Sequence, residues 1–322
     1  MRLLKVEPAI YKYSNCHDFW KEFRIGKDDL IITNKNIYCE FLKDNIKECA
    51  VILTENYGTG DSSYEMIESI YESIKKISYE RVIAIGDINI LQIGKVLSLK
   101  NIHPVNDLFE LKLEILKEKE LVLVPADLGY TGEMTNICIL KSTYENCIKE
   151  LIEDELYADS TILIPELLNL LSFRSFILNS MNVFMQAVFL YISPKTSDYI
   201  KMLAEKSIRI ILNGYKKLEC QGTESYSDLF ESFLLASNYV NTSLANVNQN
   251  VIEDKNIKFN IENGKEYEYI SNSLKECLSA VIDNEESLKF GDLLSLILEC
   301  DKNHIYDALV GILKKVVFEQ VN

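Results

Sequence analysis

The chain has 322 residues, 48% hydrophobic and 26% charged, enough apolar material for one large or two medium cores. With 49 acidic and 34 basic residues the formal net charge is -15, which repels nucleic acid and anionic membranes and argues against both as partners. The start MRLLKVEPAIYKY has Glu7 and Pro8 where a signal peptide needs an apolar stretch, and the strongest apolar run, Met181 to Ile192, is interrupted by Asn182 and Gln186, so a cytoplasmic protein is expected.

Along the chain, DDLIITN (Asp28 to Asn34) and CAVILTEN (Cys49 to Asn56) read as strands. The loop YGTGDSS leads into a helix carrying Met66, Ile67, Ile70, Ile74 and Ile77 at helical spacing, with Ser62 and Glu65 fitting a capping box. RVIAIGD (Arg81 to Asp87) is a buried strand followed by a helical segment to Lys100, and LVLVPAD (Leu121 to Asp127) is another strand. Continuous β-branched runs separated by helices predict a parallel sheet covered on both faces, a Rossmann-like α/β domain over residues 1–159. From Pro165 on, PELLNLLS, FMQAVFLYIS, YIKMLAEKSIRIILNGY, YSDLFESFLLASNYV, SLKECLSAVI, FGDLLSLILEC and YDALVGILKKVVF all read as helices, an all-α domain over residues 160–322. Two such domains suggest a cleft between them, a preferred ligand location. Asn246 to Lys265 is polar and reads as a loop. The eight cysteines form no CxxC pair and stand at no zinc-site spacing from a histidine, which predicts reduced, mostly buried thiols.

Three segments carry a resemblance. RVIAIGDINILQIGKVLSL resembles a strand, glycine-rich turn and helix of the form IAVGGGSxxDxAK; LVLVPADLGYTGEMT is similar to IPTTxGTGSEVT; and ADSTILIPELLNLLSFRSFILNSMNVFMQAVFLYISPK resembles a stretch running from a DPEL-like turn to xxDALxHAxEAYxSP. These are motifs of the iron-containing alcohol dehydrogenases. The nearest resemblance within them is to the 4-hydroxybutyrate dehydrogenases, through the Leu-Leu-Lys start, the Tyr-Gly-x-Gly loop, ILNGY and SNY. The match covers most of the chain and implies a C-terminus shorter than the family's. It implies the two-domain, dehydroquinate-synthase-like fold, Rossmann-like and then all-α.

In that family a divalent iron, or zinc, polarises the alcohol or carbonyl oxygen while hydride passes to or from NAD(P). The resemblance implies a ligand set of one Asp and three His, the first two four residues apart on one helix and so on one face. Here those two positions are Asn182 and Gln186, neutral amides and weaker ligands. Gln249 or Glu253 stands at the third ligand position, and Asn263 at the last. The histidines His17, His103 and His304 match no ligand position and are expected at the surface or in local hydrogen bonds.

The nucleotide motifs have also changed. The turn reads Gly86-Asp87-Ile88-Asn89, keeping one glycine; Gln92 replaces an Asp, and Lys95 is kept. Asp87 either faces a phosphate, costing about 3 kcal/mol at about 6 Å and an effective dielectric of about 20, or caps the following helix. In the second motif Ala126 and Asp127 replace two threonines, followed by Gly129, Tyr130, Thr131, Gly132 and Glu133. Lys149 matches a lysine near the nicotinamide. The cofactor-binding positions implied are thus Gly86, Asp87, Asn89, Lys95, Gly129, Thr131 and Lys149.

Loss of these ligand types together with the glycine turn is read as a pseudoenzyme that acts by binding a protein or small ligand. No iron or zinc, and at most weak NAD(P), is then expected. The alternatives are an active NAD(P)-dependent dehydrogenase of 4-hydroxybutyrate or a similar small alcohol with an unconventional site, and a sensor of a small acid or nucleotide. The family also implies assembly: a homo-oligomer, or a hetero-oligomer with an intact relative.

Overall fold

The computed structural model describes residues 4–46, 48–58, 61–142, 147–247, 285–313 and 316. Two compact units are present, Val6–Leu170 and Leu171–Asn322 with Met1–Lys5. The first extends past residue 159 because the strand Ser160–Leu163 completes its sheet.

That sheet holds six parallel strands, β1 (Ala9–Lys12), β2 (Asp29–Thr33), β3 (Ala50–Leu53), β4 (Arg81–Gly86), β5 (Glu120–Pro125) and β8 (Ser160–Leu163). Their order is β1-β8-β5-β4-β2-β3. β2 is buried along its whole length and so are the last five residues of β4 and β5, which is why these strands show as continuous apolar runs. Alternate side chains feed two cores. Leu30, Ile32, Val82, Ala84, Leu121 and Leu123 pack with α3 (Tyr64–Ile74), α4 (Ile88–Leu97) and α5 (Val105–Phe109). Ile31, Ile83, Ile85, Val122 and Val124 pack with α1 (Cys16–Phe23) and the short α2 (Lys35–Ile37). A separate antiparallel hairpin, β6 (Ile137–Ser142) with β7 (Cys147–Ile152), follows β5.

The order has one reversal. From β2 the chain goes outward to β3, then returns to β4 on the other side of β2. The carboxyl ends of β2 and β4, at Thr33 and Gly86, therefore flank a topological switch point, where open α/β sheets bind ligands. Thr33 Oγ1 donates to Ile85 O across that gap (2.9 Å).

The capping residue of α3 is Ser63, not Ser62: its Oγ accepts from Met66 N at 3.3 Å. Ser62 is engaged elsewhere, with both its backbone N and its Oγ on Asn89 Oδ1 (3.1 and 3.4 Å), so the helix begins one residue later.

The second unit is helical: α6 (Phe173–Ile192), α7 (Asp198–Gln221), α8 (Phe230–Leu244), α9 (Glu285–Leu298) and α10 (Ile305–Leu313). PELLNL forms a 3-10 turn, Pro165–Leu170, before Ser172 caps α6 by accepting from Ser175 N at 3.1 Å. At 20 residues, α6 is long and apolar enough to cross a membrane by composition, but 61% of its most apolar window is buried within the protein, as in the core helix of a folded domain. Phe176 stacks on Phe233 with centroids 5.1 Å apart, and Gly214 lets α7 and α8 approach. A Cβ on Gly214 would lie 2.3 Å from the Phe233 ring. The segment SLKECLSAVI and nearly all of the polar stretch Asn246 to Lys265 fall outside the described residues.

Candidate functional site

In the α/β unit the site is built on the junction of β4 and α4. Gly86 ends β4, and a Cβ there would fall 2.3 Å from Ile90 Cδ1 and 3.0 Å from Ile90 Cβ, so a larger residue would have to displace Ile90. Asp87 is the N-cap of α4, with Oδ1 accepting from Ile90 N at 3.2 Å. Its carboxylate therefore serves its own helix, the second of the two roles open from the sequence. Asn89, in the first turn, is committed to the Ser62 contacts and ties the loop before α3 to α4.

The loop after β5 shares this rim. Ala126 N donates to Gly86 O (2.9 Å), joining the two motifs by a backbone bond. Asp127 Oδ1 accepts from Leu128 N (2.7 Å). Gly129 and Gly132 have φ of 96° and 75°, the left-handed backbone that favours glycine. Thr131 Oγ1 donates to the buried Glu133 carboxylate, and Thr161 Oγ1 donates to Glu133 O at 3.2 Å. Burial pushes the Tyr130 phenol up to about 12, against a hydrogen bond with Thr135 that lowers it.

Lys95 is not at the rim. It is fully buried, and its Nζ donates to Gly132 O, Thr135 O and Ile137 O (each 2.8 Å) and to Thr135 Oγ1 (3.2 Å). Burial lowers its pKa to about 8, opposed by the nearby Cys138 and Glu133. Gln92, one turn earlier on α4, accepts from Ile139 N (3.3 Å), while its Nε2 is buried without a partner. Sequence reading missed this buried polar layer. Its one sequence signal was a glutamine and a lysine set inside the otherwise apolar run ILQIGKVL. Lys149 lies on β7, opposite Leu140 of β6, and is half-buried.

In the helical unit, Asn182 and Gln186 lie one turn apart on α6, Asn182 half-buried and Gln186 3% exposed with its Oε1 unpartnered. Both are neutral amides, so α6 supplies neither the carboxylate nor the imidazole that divalent iron or zinc prefers. Gln249, Glu253 and Asn263 lie outside the described residues. Among the described residues no three His, Cys, Asp or Glu side chains come together as a metal site, and His17, His103 and His304 are exposed. His103 Nδ1 lies 3.3 Å from Glu68, and its ring stacks on Tyr71.

With this geometry in place, the chain can be set beside known proteins. The family model of iron-containing alcohol dehydrogenases matches residues 11–165. A 4-hydroxybutyrate dehydrogenase of Clostridium kluyveri is 32% identical over 324 residues, covering 98% of this chain and 86% of that protein. Among solved structures, the sulfoacetaldehyde reductase of Bifidobacterium kashiwanohense in complex with NAD+ superposes with a TM-score of 0.76 at 15% identity, covering 98% of this chain and 86% of its own. The NADH-dependent butanol dehydrogenase A of Thermotoga maritima gives 0.68 at 14% identity, with 98% and 84% covered.

These findings overturn the expectation of no iron or zinc and at most weak NAD(P). The kinship is with enzymes named for their iron, and one protein of the same fold holds NAD+. Asp87, one of the residues on which that expectation rested, caps α4. Sequence, fold and motif order agree: the chain belongs to the iron-containing alcohol dehydrogenase family.

Proposed function

We propose that this protein binds a nicotinamide nucleotide at the carboxyl rim of its sheet without carrying out the family's metal-assisted hydride transfer. It is then a pseudoenzyme relative of the 4-hydroxybutyrate dehydrogenases, acting through binding. The nucleotide half of this reading is supported by the switch point between β2 and β4 and by Gly86 leading into α4. A helix N-terminus favours anionic groups, and the residues proposed to hold the nucleotide are Gly86, the first turn of α4 and the loop 126–135. A bound nicotinamide would supply a hydride donor or acceptor. The observation that carries catalytic silence is the amide pair Asn182 and Gln186 on α6, where the family's reaction calls for a carboxylate and an imidazole.

The test uses the purified chain supplied with ferrous iron, NAD+ or NADP+, and 4-hydroxybutyrate. Calorimetric titration should show nucleotide binding, and no reduced nicotinamide should accumulate. Iron-dependent reduction of the nucleotide would overturn the silent reading in favour of an active dehydrogenase of 4-hydroxybutyrate or a similar small alcohol. That second reading is favoured by the identity to the Clostridium kluyveri enzyme along nearly the whole chain. Failure of both nucleotides to bind would overturn the binding half.

Two further points belong to this proposal. The protein works as a homo-oligomer or with an intact relative, through the exposed edge strand β1. It resides in the cytoplasm, where the free thiols found at Cys16, Cys39, Cys49, Cys138, Cys147, Cys220 and Cys300 stay reduced.

A further inference from the structure

A buried lysine is costly, because burial strips water from its charge. Lys95 is fully buried, yet its surroundings repay it with four acceptors, three of them backbone carbonyls from one short stretch, Gly132, Thr135 and Ile137. Without the ammonium, Gly132 O would keep the bonds it accepts from Thr135 N (3.1 Å) and Thr135 Oγ1 (3.0 Å), while Thr135 O and Ile137 O would lose the donor that Lys95 gives them. Leaving such acceptors unsatisfied costs more than a hydrogen bond gains. The same stretch is packed without slack on α4: a Cβ on Gly132 would lie 3.3 Å from Gln92 Nε2 and 3.8 Å from Lys95 Nζ. At its start the loop is bonded to Gly86 through Ala126 N, and on its far side Thr161 holds Glu133 O.

We infer that Lys95 is a positioning residue, an internal clamp that gathers the carbonyls of residues 132, 135 and 137 and so fixes the loop 126–135 beside the Gly86 turn for nucleotide binding. The inference rests on the nucleotide-binding reading above. It takes Lys95 out of direct cofactor contact, since the side chain is fully buried with its Nζ held among loop carbonyls. It also accounts for a cation inside an apolar helix: the charge shapes a loop with two left-handed glycines that local sequence preference alone would not hold.

The test compares wild type with Lys95→Met, which keeps the apolar stem and loses all four hydrogen bonds, and with Lys95→Arg, which keeps a cation with several donors. Hydrogen exchange is followed by mass spectrometry, and NADH affinity by titration. In Lys95→Met, exchange should rise across residues 126–137 while α1 and β2 keep wild-type protection. NADH affinity should fall about tenfold, and Lys95→Arg should recover part of it. Unchanged exchange in 126–137 would overturn the clamp; a loosened loop with unchanged NADH affinity would overturn its role in binding. If wild type itself binds no NADH, the nucleotide reading fails; if wild type and Lys95→Met bind equally, only the clamp does. Should Lys95→Met not fold, Thr135→Val removes one acceptor and should loosen the same segment to a smaller degree, and no change there would again overturn the proposal.

Discussion

At the scale of single residues, the lysine that the motif placed near a cofactor is an interior cation, and its titration gives a signed expectation. The Lys95 pKa is lowered from 10.5 to about 8 by burial. Between those two values the unfolded chain binds a proton that the folded chain does not, so stability rises with pH across that window and is insensitive to this group below it. In urea melts from pH 7 to pH 10.5, wild type should gain stability relative to Lys95→Met above about pH 8. A difference that shrinks with pH would show that burial is not what governs this amine. Asp87 gives a second expectation. Asp87→Ala should cost about 1 kcal/mol by losing the cap on Ile90 N, whereas Asp87→Asn should cost only a few tenths, because both side chains cap well. Equal losses in the two variants would point to the charge rather than the hydrogen bond. Asp87's capping role was legible in the sequence, since a cap is a local event between residues three apart. The Lys95 layer was not, because its partners lie about 40 residues away in a loop whose path no local pattern fixes.

At the scale of elements, what could be read depended on burial symmetry. β2, β4 and β5 are buried on both faces and showed as apolar runs, whereas β1 is exposed along its length, β8 has only four residues and the β6–β7 hairpin alternates, and all four passed unread. Helices with long apolar faces, such as α7, were legible from spacing alone, though the 3-10 turn at Pro165–Leu170 read as a helix because its leucines mimic that spacing. The packing of elements makes a paired prediction at two helical glycines. Gly214→Ala drives a methyl into the Phe233 ring, with the ring itself held against Phe176 and Tyr215, and should destabilise by about 1–3 kcal/mol. Gly291→Ala on α9 meets nothing within 4 Å and should stabilise by about 0.5–1 kcal/mol through helix propensity. Thermal melts of the two variants should therefore move in opposite directions, and a harmless Gly214→Ala would mean that α7 and α8 can separate without loss.

At the scale of the whole molecule, the edge of the sheet bears on assembly. β1 closes one edge, hydrogen-bonded to β8 on one side only, and its four residues are all exposed. Around it Val6, Ile10 and Tyr11 are 49%, 42% and 45% exposed, an apolar group along a strand whose outer backbone faces no other strand of the sheet. Proteins that stay monomeric usually protect such an edge with charge, proline or a covering element. Here Lys12 is the only charged residue of the strand. A second copy laying its own β1 antiparallel against this one would extend the sheet and cover Ile10 and Tyr11 by the same self-complementary contact, the arrangement twofold dimers favour. Light scattering coupled to size exclusion should then give a dimer for the isolated chain, and the double variant Ile10→Lys, Tyr11→Lys should give a monomer that melts cooperatively. The paired lysines act by placing like charges directly across the new strand pair, a repulsion absent from the lone chain. A wild-type chain that runs as a monomer at micromolar concentration, both alone and mixed with an intact relative, would remove β1 as an assembly surface, and a double variant that remains dimeric would move the interface elsewhere.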